Sequence, residues 1–214
     1  MILSTIQSRA ALFCGDPSQT RFTGLYTDAI NDAQKQFALD SNALFKDKAY
    51  TATAGTSTYT LPTDFIVEDT VTYNGYPLKP ISRHTLYSLF PGTDWTLLNG
   101  TPTHYMIDPQ EAVLALRLIP IPQDALAISM RYIPLPADVS AASDVVLNSS
   151  TLMTQFHLGI AALAAWLVLQ SEIVTPELQA KMSQMMKIYN DAVSKAIEKF
   201  GNTKSESLRI RPKK

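Results

Sequence analysis

The side chains able to do chemistry are few and scattered. Three histidines, His84, His104 and His157, stand far apart in a chain of 214 residues. None has a cysteine or a second histidine at the spacing that metal sites use. His157 adjoins an apolar run and reads as a core or interfacial imidazole. His104, Tyr105 and Asp108 lie close together in the sequence. Acid, base and hydroxyl in one short stretch are the parts of a dispersed-site enzyme, whose mark would be a pocket of convergent polar groups. Cys14 is the one cysteine, which excludes an intramolecular disulfide framework and an all-cysteine zinc site. It follows Phe13 at a helix end with no basic neighbour, so it reads as a small buried residue rather than a nucleophile. Asp64, Glu68 and Asp69 surround a strand start and read as a solvated rim. No GxSxG, HExxH, P-loop or GxGxxG is present, and the eight glycines do not cluster as a phosphate cradle requires. No catalytic residue, metal or cofactor is expected.

The remaining notable residues suit contact rather than reaction. Trp95 follows Asp94 in a loop and serves as either a core anchor or an interface anchor. Tyr76 stands just after Asn74-Gly75. Met182, Met185 and Met186 read as bundle core, with a Met-rich contact surface as the alternative. Trp95, Tyr76 and Met186 are the candidates for interfaces with another subunit or a partner protein. The C-terminal stretch carries five basic residues, Lys204, Arg209, Arg211, Lys213 and Lys214, against Glu206. It reads as a solvated terminus, as an arm that orders on an acidic or grooved partner, or as a contact for phosphates. No interleaved aromatics support stacking on single strands.

The elements that position these residues change along the chain. Leu3, Ile6, Ala10 and Phe13 fall at helical spacing, with Ser4 or Thr5 as the expected cap and Gly15-Asp16-Pro17-Ser18 as the stop. Phe22, Tyr26, Ala29, Ala33 and Phe37 predict a second helix over 21–44. Residues 49–61 are rich in Thr and Tyr and predict two short strands around Gly55. Asn74-Gly75, between β-formers, predicts a hairpin, because both central residues of a type I′ turn need positive φ. A short helix is expected over 83–90. Residues 103–107 and 113–119 predict a hairpin turned at 108–110, and 126–133 a further strand. Residues 137–150 read as a linker. The stretch 151–170 is a helix apolar almost all round, and such a helix is buried on several sides. Thr175-Pro176-Glu177 starts the last helix, striped by Leu178, Met182, Met185, Tyr189, Val193, Ala196 and Phe200, and Gly201 ends it.

The fold class is therefore α+β: an antiparallel helical bundle from N- and C-terminal helices with an inserted antiparallel β domain. The divisions are 1–47, helices of the bundle; 48–136, the β domain; 137–150, the linker; 151–200, a helical hairpin; and 201–214, the basic tail. Apolar residues make up 46% and charged residues only 17%, and the net charge is −1. A charge-poor, near-neutral chain argues against free nucleic-acid binding and toward protein partners. The longest apolar stretch, 159–169, is too short for a bilayer, and the N-terminus lacks the basic region of a signal peptide. Folding in a reducing cytosol is the expectation.

Six segments in order carry a resemblance. They are Leu61-Pro62-Thr63-Asp64-Phe65-Ile66, Tyr73-Asn74-Gly75-Tyr76-Pro77-Leu78, the stretch 100–108 (GTPTHYMID), Leu116-Arg117-Leu118-Ile119-Pro120-Ile121-Pro122, Met130-Arg131-Tyr132-Ile133-Pro134, and the stretch 156–166 (FHLGIAALAAW). Together with 25–34 (LYTDAINDAQ), they resemble the head-to-tail adaptor (connector) proteins of tailed bacteriophages, over about 20–200. The resemblance implies a structural virion protein at the head–tail junction, made in the host bacterial cytoplasm. It implies a ring, typically a dodecamer, that binds the portal protein and extends the DNA channel. The ring would present a docking surface to the tail nozzle or tail-tube protein, and genomic DNA would pass through without sequence-specific binding. The bundle would form the ring wall, the β domain would face the tail, and Lys204, Arg209, Arg211, Lys213 and Lys214 would lie on the arm toward the portal. A tail-completion or stopper protein is the alternative within the structural class. A small cytosolic enzyme built on His104, Tyr105 and Asp108 is the alternative outside it.

Overall fold

The computed structural model of the chain describes residues 2–91, 94–109, 114–148, 155–173 and 175–200. Helices α1 (Leu3–Cys14) and α2 (Leu25–Ser41) come first. Strands β1 (Lys46–Thr51), β2 (Thr58–Thr60), β3 (Phe65–Tyr73), β4 (Tyr76–Pro77) and β5 (Lys79–Pro80) follow. Then come α3 (Arg83–Leu89), β6 (Asn99–Gly100), β7 (His104–Asp108), β8 (Ala115–Ile119), β9 (Ile121–Pro122) and β10 (Ala127–Pro134). Helices α4 (His157–Leu169) and α5 (Pro176–Phe200) close the described chain. The α+β class is as expected from the sequence. The chain divides into two compact units, one of Phe45–Pro134 and the other of the residues on either side.

In the helical unit, α4 is the hub, touching α1, α2 and α5. Its composition dictates that place: it carries no charge, and Ile160, Ala161, Ala162, Ala164 and Ala165 are all fully buried. Small residues let α5 come close. A Cβ added to Gly159 would lie 2.5 Å from the Cβ of Ala192. Phe37 of α2 packs on Phe156 and Tyr189, and the Tyr189 hydroxyl donates to Asp40 at 2.6 Å.

The helix ends differ from expectation in two places. Neither Ser4 nor Thr5 caps α1: Ile2 is the capping residue and supplies no side-chain bond. The free N–H groups of Leu3 and Ser4 donate instead to the carbonyls of Asp144 and Ala142, so backbone from a distant segment replaces the local cap. Helix α2 starts at Leu25 rather than 21 because the buried Asp16 carboxylate collects the N–H groups of Thr20, Arg21 and Phe22, holding them in a turn. Gly15, at φ 76°, ends α1 as the sequence indicates, and the Thr175 hydroxyl caps α5 by accepting from Leu178 N–H at 3.2 Å. The expected stop at Gly201 lies outside the described residues, as do 151–154 and Gln110.

The segment from 135 to 148 is tied to α2 by two side-chain amides. Asn31 donates to the Val139 carbonyl at 3.1 Å and accepts from its N–H at 2.8 Å. Gln34, fully buried, donates to the Ala137 carbonyl at 2.9 Å and accepts from Leu147 N–H at 3.1 Å. Lys35 adds an ion pair to Asp138 at 2.6 Å. Val139, Val146 and Leu147 are thereby buried in the helical core.

In the β unit, one antiparallel sheet runs β1-β10-β3-β4 and a second runs β2-β8-β7-β5, with β5 parallel to β7. Val71, Ile128 and Met130 of the first sheet share a core with Tyr105, Leu116 and Leu118 of the second. Asn74 and Gly75, at φ 49° and 79°, turn β3 into β4 as expected. The strands around Gly55 do form, yet β1 pairs with β10 and β2 with β8, in different sheets. The outer strands are poor templates for further pairing. The exposed β1 opens with Lys46, Asp47 and Lys48; β2 has three residues; and β4 and β5 each contain a proline.

Candidate interaction surfaces

Strand alternation dismantles the one sequence-local set of chemical residues. Along β7, Tyr105 points into the core between the sheets, while Met106 packs on the other face with Leu86, Trp95 and Ile119. Asp108, buried, is held by two guanidinium groups: Arg83 at 3.0 Å to both oxygens and Arg117 at 3.4 Å. His104 meets the Thr103 hydroxyl at 2.9 Å. The structure therefore does not bring His104, Tyr105 and Asp108 together on one surface.

The other titratable candidates are likewise tied up in the fold. Cys14 is buried, and burial pushes its thiol up to about 11, which keeps it protonated; it lies 3.7 Å from the Ala165 carbonyl. His157 is fully buried, and burial, with the positive charges of the N-terminal amine and Arg9, pulls it down to about 4. His84 is exposed on α3. Burial opposes charge on Asp64, yet the Lys46 ammonium at 2.7 Å and the Tyr132 hydroxyl at 2.8 Å hold its carboxyl below the ordinary range. Burial and the Glu68 carboxylate raise the Tyr105 phenol, and Asp69 accepts from Thr70. Asp94 caps a short 3-10 turn at Trp95–Leu97. Among the described residues no three His, Cys, Asp or Glu side chains could hold a metal ion, and no helix is long and apolar enough to cross a membrane.

The contact candidates occupy three different settings. Trp95, 5% exposed, is enclosed by Leu86, Met106 and Ile119, with Arg83 and Arg117 at 6.0 and 5.8 Å from its ring. Its position is that of a core anchor of the β unit. Exposed around it are Tyr87, Leu89 and Leu97. Tyr76, 74% exposed, lines a groove with Tyr73, Pro77, Pro102 and His104. Met186 is half-buried and lines a groove with Trp166 and Met182. Lys204, Arg209, Arg211, Lys213 and Lys214 lie outside the described residues.

Helix α5 carries a groove on each flank. Met185, Tyr189 and Ala196 are its buried line. At about 100° per residue, Met182 and Met186 fall to one side of that line, and Ile188 and Ala192 to the other. The first pair meets Trp166 in a groove of about 600 Å³. The second meets Leu158 and Gly159 in a groove of about 810 Å³, with Lys195 and Lys199 at its edge. One helical hairpin thus offers two unlike, partly apolar flanks.

Sequence reasoning missed the amide tether and the Arg83–Asp108–Arg117 cluster. Gln34 left a trace: with Ile30, Phe37 and Ser41 it falls on the core face of the helical period, where a glutamine needs partners. The arginine cluster left none, because its members come from three separate elements.

Residues 1–210 match a protein-family model described as SU10 adaptor protein. A search of the curated proteins finds no match to the chain.

Proposed function

The chain belongs to the SU10 adaptor protein family, a family of phage head–tail adaptors, and on that premise we propose that it assembles as a ring on the portal and joins capsid to tail. The ring, twelve copies in the form the sequence resemblance implies, lengthens the channel through which the genome leaves. DNA passes through it without base-specific contact. The basic tail, with Lys204, Arg209, Arg211, Lys213 and Lys214, engages the portal. Tyr76 and the exposed Tyr87, Leu89 and Leu97 face the tail nozzle or tail-tube protein.

The family match over almost the whole chain is the observation that carries this reading. The unlike flanks of α5 support it, because a closed ring of identical copies needs two different, complementary faces on each copy. The low charge fraction, 17%, favours large protein contacts.

The test is the mass of the complex formed with purified portal. The expected product is a portal carrying a full ring of this chain. Absence of co-assembly at high concentration overturns the reading. Cross-links in intact particles that reach tail proteins and never the portal would transfer the chain to the stopper role.

A further inference from the structure

Helix α1 has a face that a solvated helix does not ordinarily have. Leu3, Ile6, Ala10 and Cys14 form its buried side. The opposite side carries Thr5, Ser8 and Leu12, and Leu12 is 65% exposed. Arg9 is the one charged residue in the twelve of α1, and it is half-buried, close enough to His157 to act on its ionisation. Helix α2, packed against the same hub, carries Asp28, Asp32, Lys35 and Asp40. A surface helix keeps its charges toward water, whereas the centre of an interface loses them.

A receiving surface of matching character lies between α4 and α5. The groove of Trp166, Met182 and Met186 is edged mainly by the uncharged Gln179, Ser183 and Asn190. A flexible thioether pair beside an indole adapts to an incoming aliphatic knob. The other exposed leucines of the bundle's outer helix fit less well: Leu25 and Leu39 of α2 flank Asp28 and Asp32, two exposed carboxylates. The groove's lone cation, Lys187, stands beside Asp191 and could not neutralise both.

We propose that the outer face of α1, centred on Leu12, seats in the Trp166–Met182–Met186 groove of a second copy of this chain. The contact rests on the ring reading above and names the surfaces that close it. Both surfaces belong to the helices of one compact unit, which sets the angle between them. Because they differ, each copy gives one and receives one, and the contact propagates around a ring. The small Ser4, Thr5 and Ser8 let the two helices approach closely.

Two experiments on the full chain, each assembled with the portal, test this. First, a Cys14→Ser background carrying Leu12→Cys and Met186→Cys is oxidised mildly. The expected result is a covalent ladder of multimers, absent from either single-cysteine variant. Dimers from Leu12→Cys alone would overturn the proposal, because like would then be meeting like. Second, Leu12→Asp places a charge at an exposed position where the fold tolerates it, and the melting temperature reports that. Ring formation is expected to fall roughly tenfold or more, since the carboxylate would be buried beside Asp191 in a groove with a single cation, Lys187, for both. If the parent chain forms a ring and Leu12→Asp forms it equally well, this contact is wrong and the ring reading stands. If the parent forms no ring with the portal, the ring reading itself fails.

Discussion

Asn31 and Val139 face each other across 108 residues of sequence and exchange two hydrogen bonds, the side-chain amide answering a backbone N–H and C=O. Gln34 repeats the device one turn later with Ala137 and Leu147. Together they make the returning strand of chain part of the helical core.

Removing that tether has a measurable cost. Gln34→Leu leaves the buried Leu147 N–H without a partner, at about 1–3 kcal/mol. We expect a lower urea midpoint and faster hydrogen exchange at Leu147. Unchanged exchange there would show that the amide is not what holds the segment.

Gly159→Ala drives a methyl into Ala192, whose Cβ would stand 2.5 Å away. Overpacking of this kind costs about 1–3 kcal/mol. The reciprocal change, Ala192→Gly, added to Gly159→Ala, is expected to restore much of the loss. Thermal melts of the two single variants and the double variant give the coupling directly, and additive losses would refute it.

Asp108→Asn removes the anion between Arg83 and Arg117 and leaves two cations facing each other beside Trp95. Breaking a buried ion pair from one side costs roughly 3 kcal/mol or more. Arg83 is a third exposed, which places the loss at the low end of that range. Tryptophan fluorescence is expected to report loosening at Trp95, and an unaltered denaturation midpoint would argue against the lock.

His157 predicts a pH dependence of known sign. Its folded value is lowered from 6.5 to about 4, so the native state resists taking up the proton that the unfolded chain accepts. Above pH 6.5 both states are neutral there and the group carries no penalty. As pH falls from 6.5 toward 4, stability drops by up to about 3 kcal/mol from this residue. The difference between the parent and His157→Gln, followed by urea unfolding from pH 7 to 4, isolates that share. A parent curve with no steeper slope than the variant's would refute it.

Local signals in the sequence were reliable where the structure they predict is local. The period of Leu3, Ile6 and Ala10, the Asn74-Gly75 turn and the Thr175-Pro176-Glu177 start need only neighbouring residues, and each is realised. What failed depended on distant partners. Ser4 and Thr5 are sound caps, but the carbonyls of Asp144 and Ala142 accept the N–H groups of Leu3 and Ser4 instead. The strands on either side of Gly55 form as predicted, but the partners they take, β10 and β8, are distant in sequence and carry no local signal. Met186 and Tyr76 stand out by type alone. The outer face of α1 does not, because its signal is a shortage of charge that matters only once the buried side is known.

The sheet borders described above bear on how copies meet while they are being made. Identical chains made together present the same exposed edges to one another. Two prolines, a three-residue strand and a run of alternating charge deny these chains a main-chain route into fibrils. Contact between copies is then left to side chains, which bind more reversibly than a shared main-chain ladder.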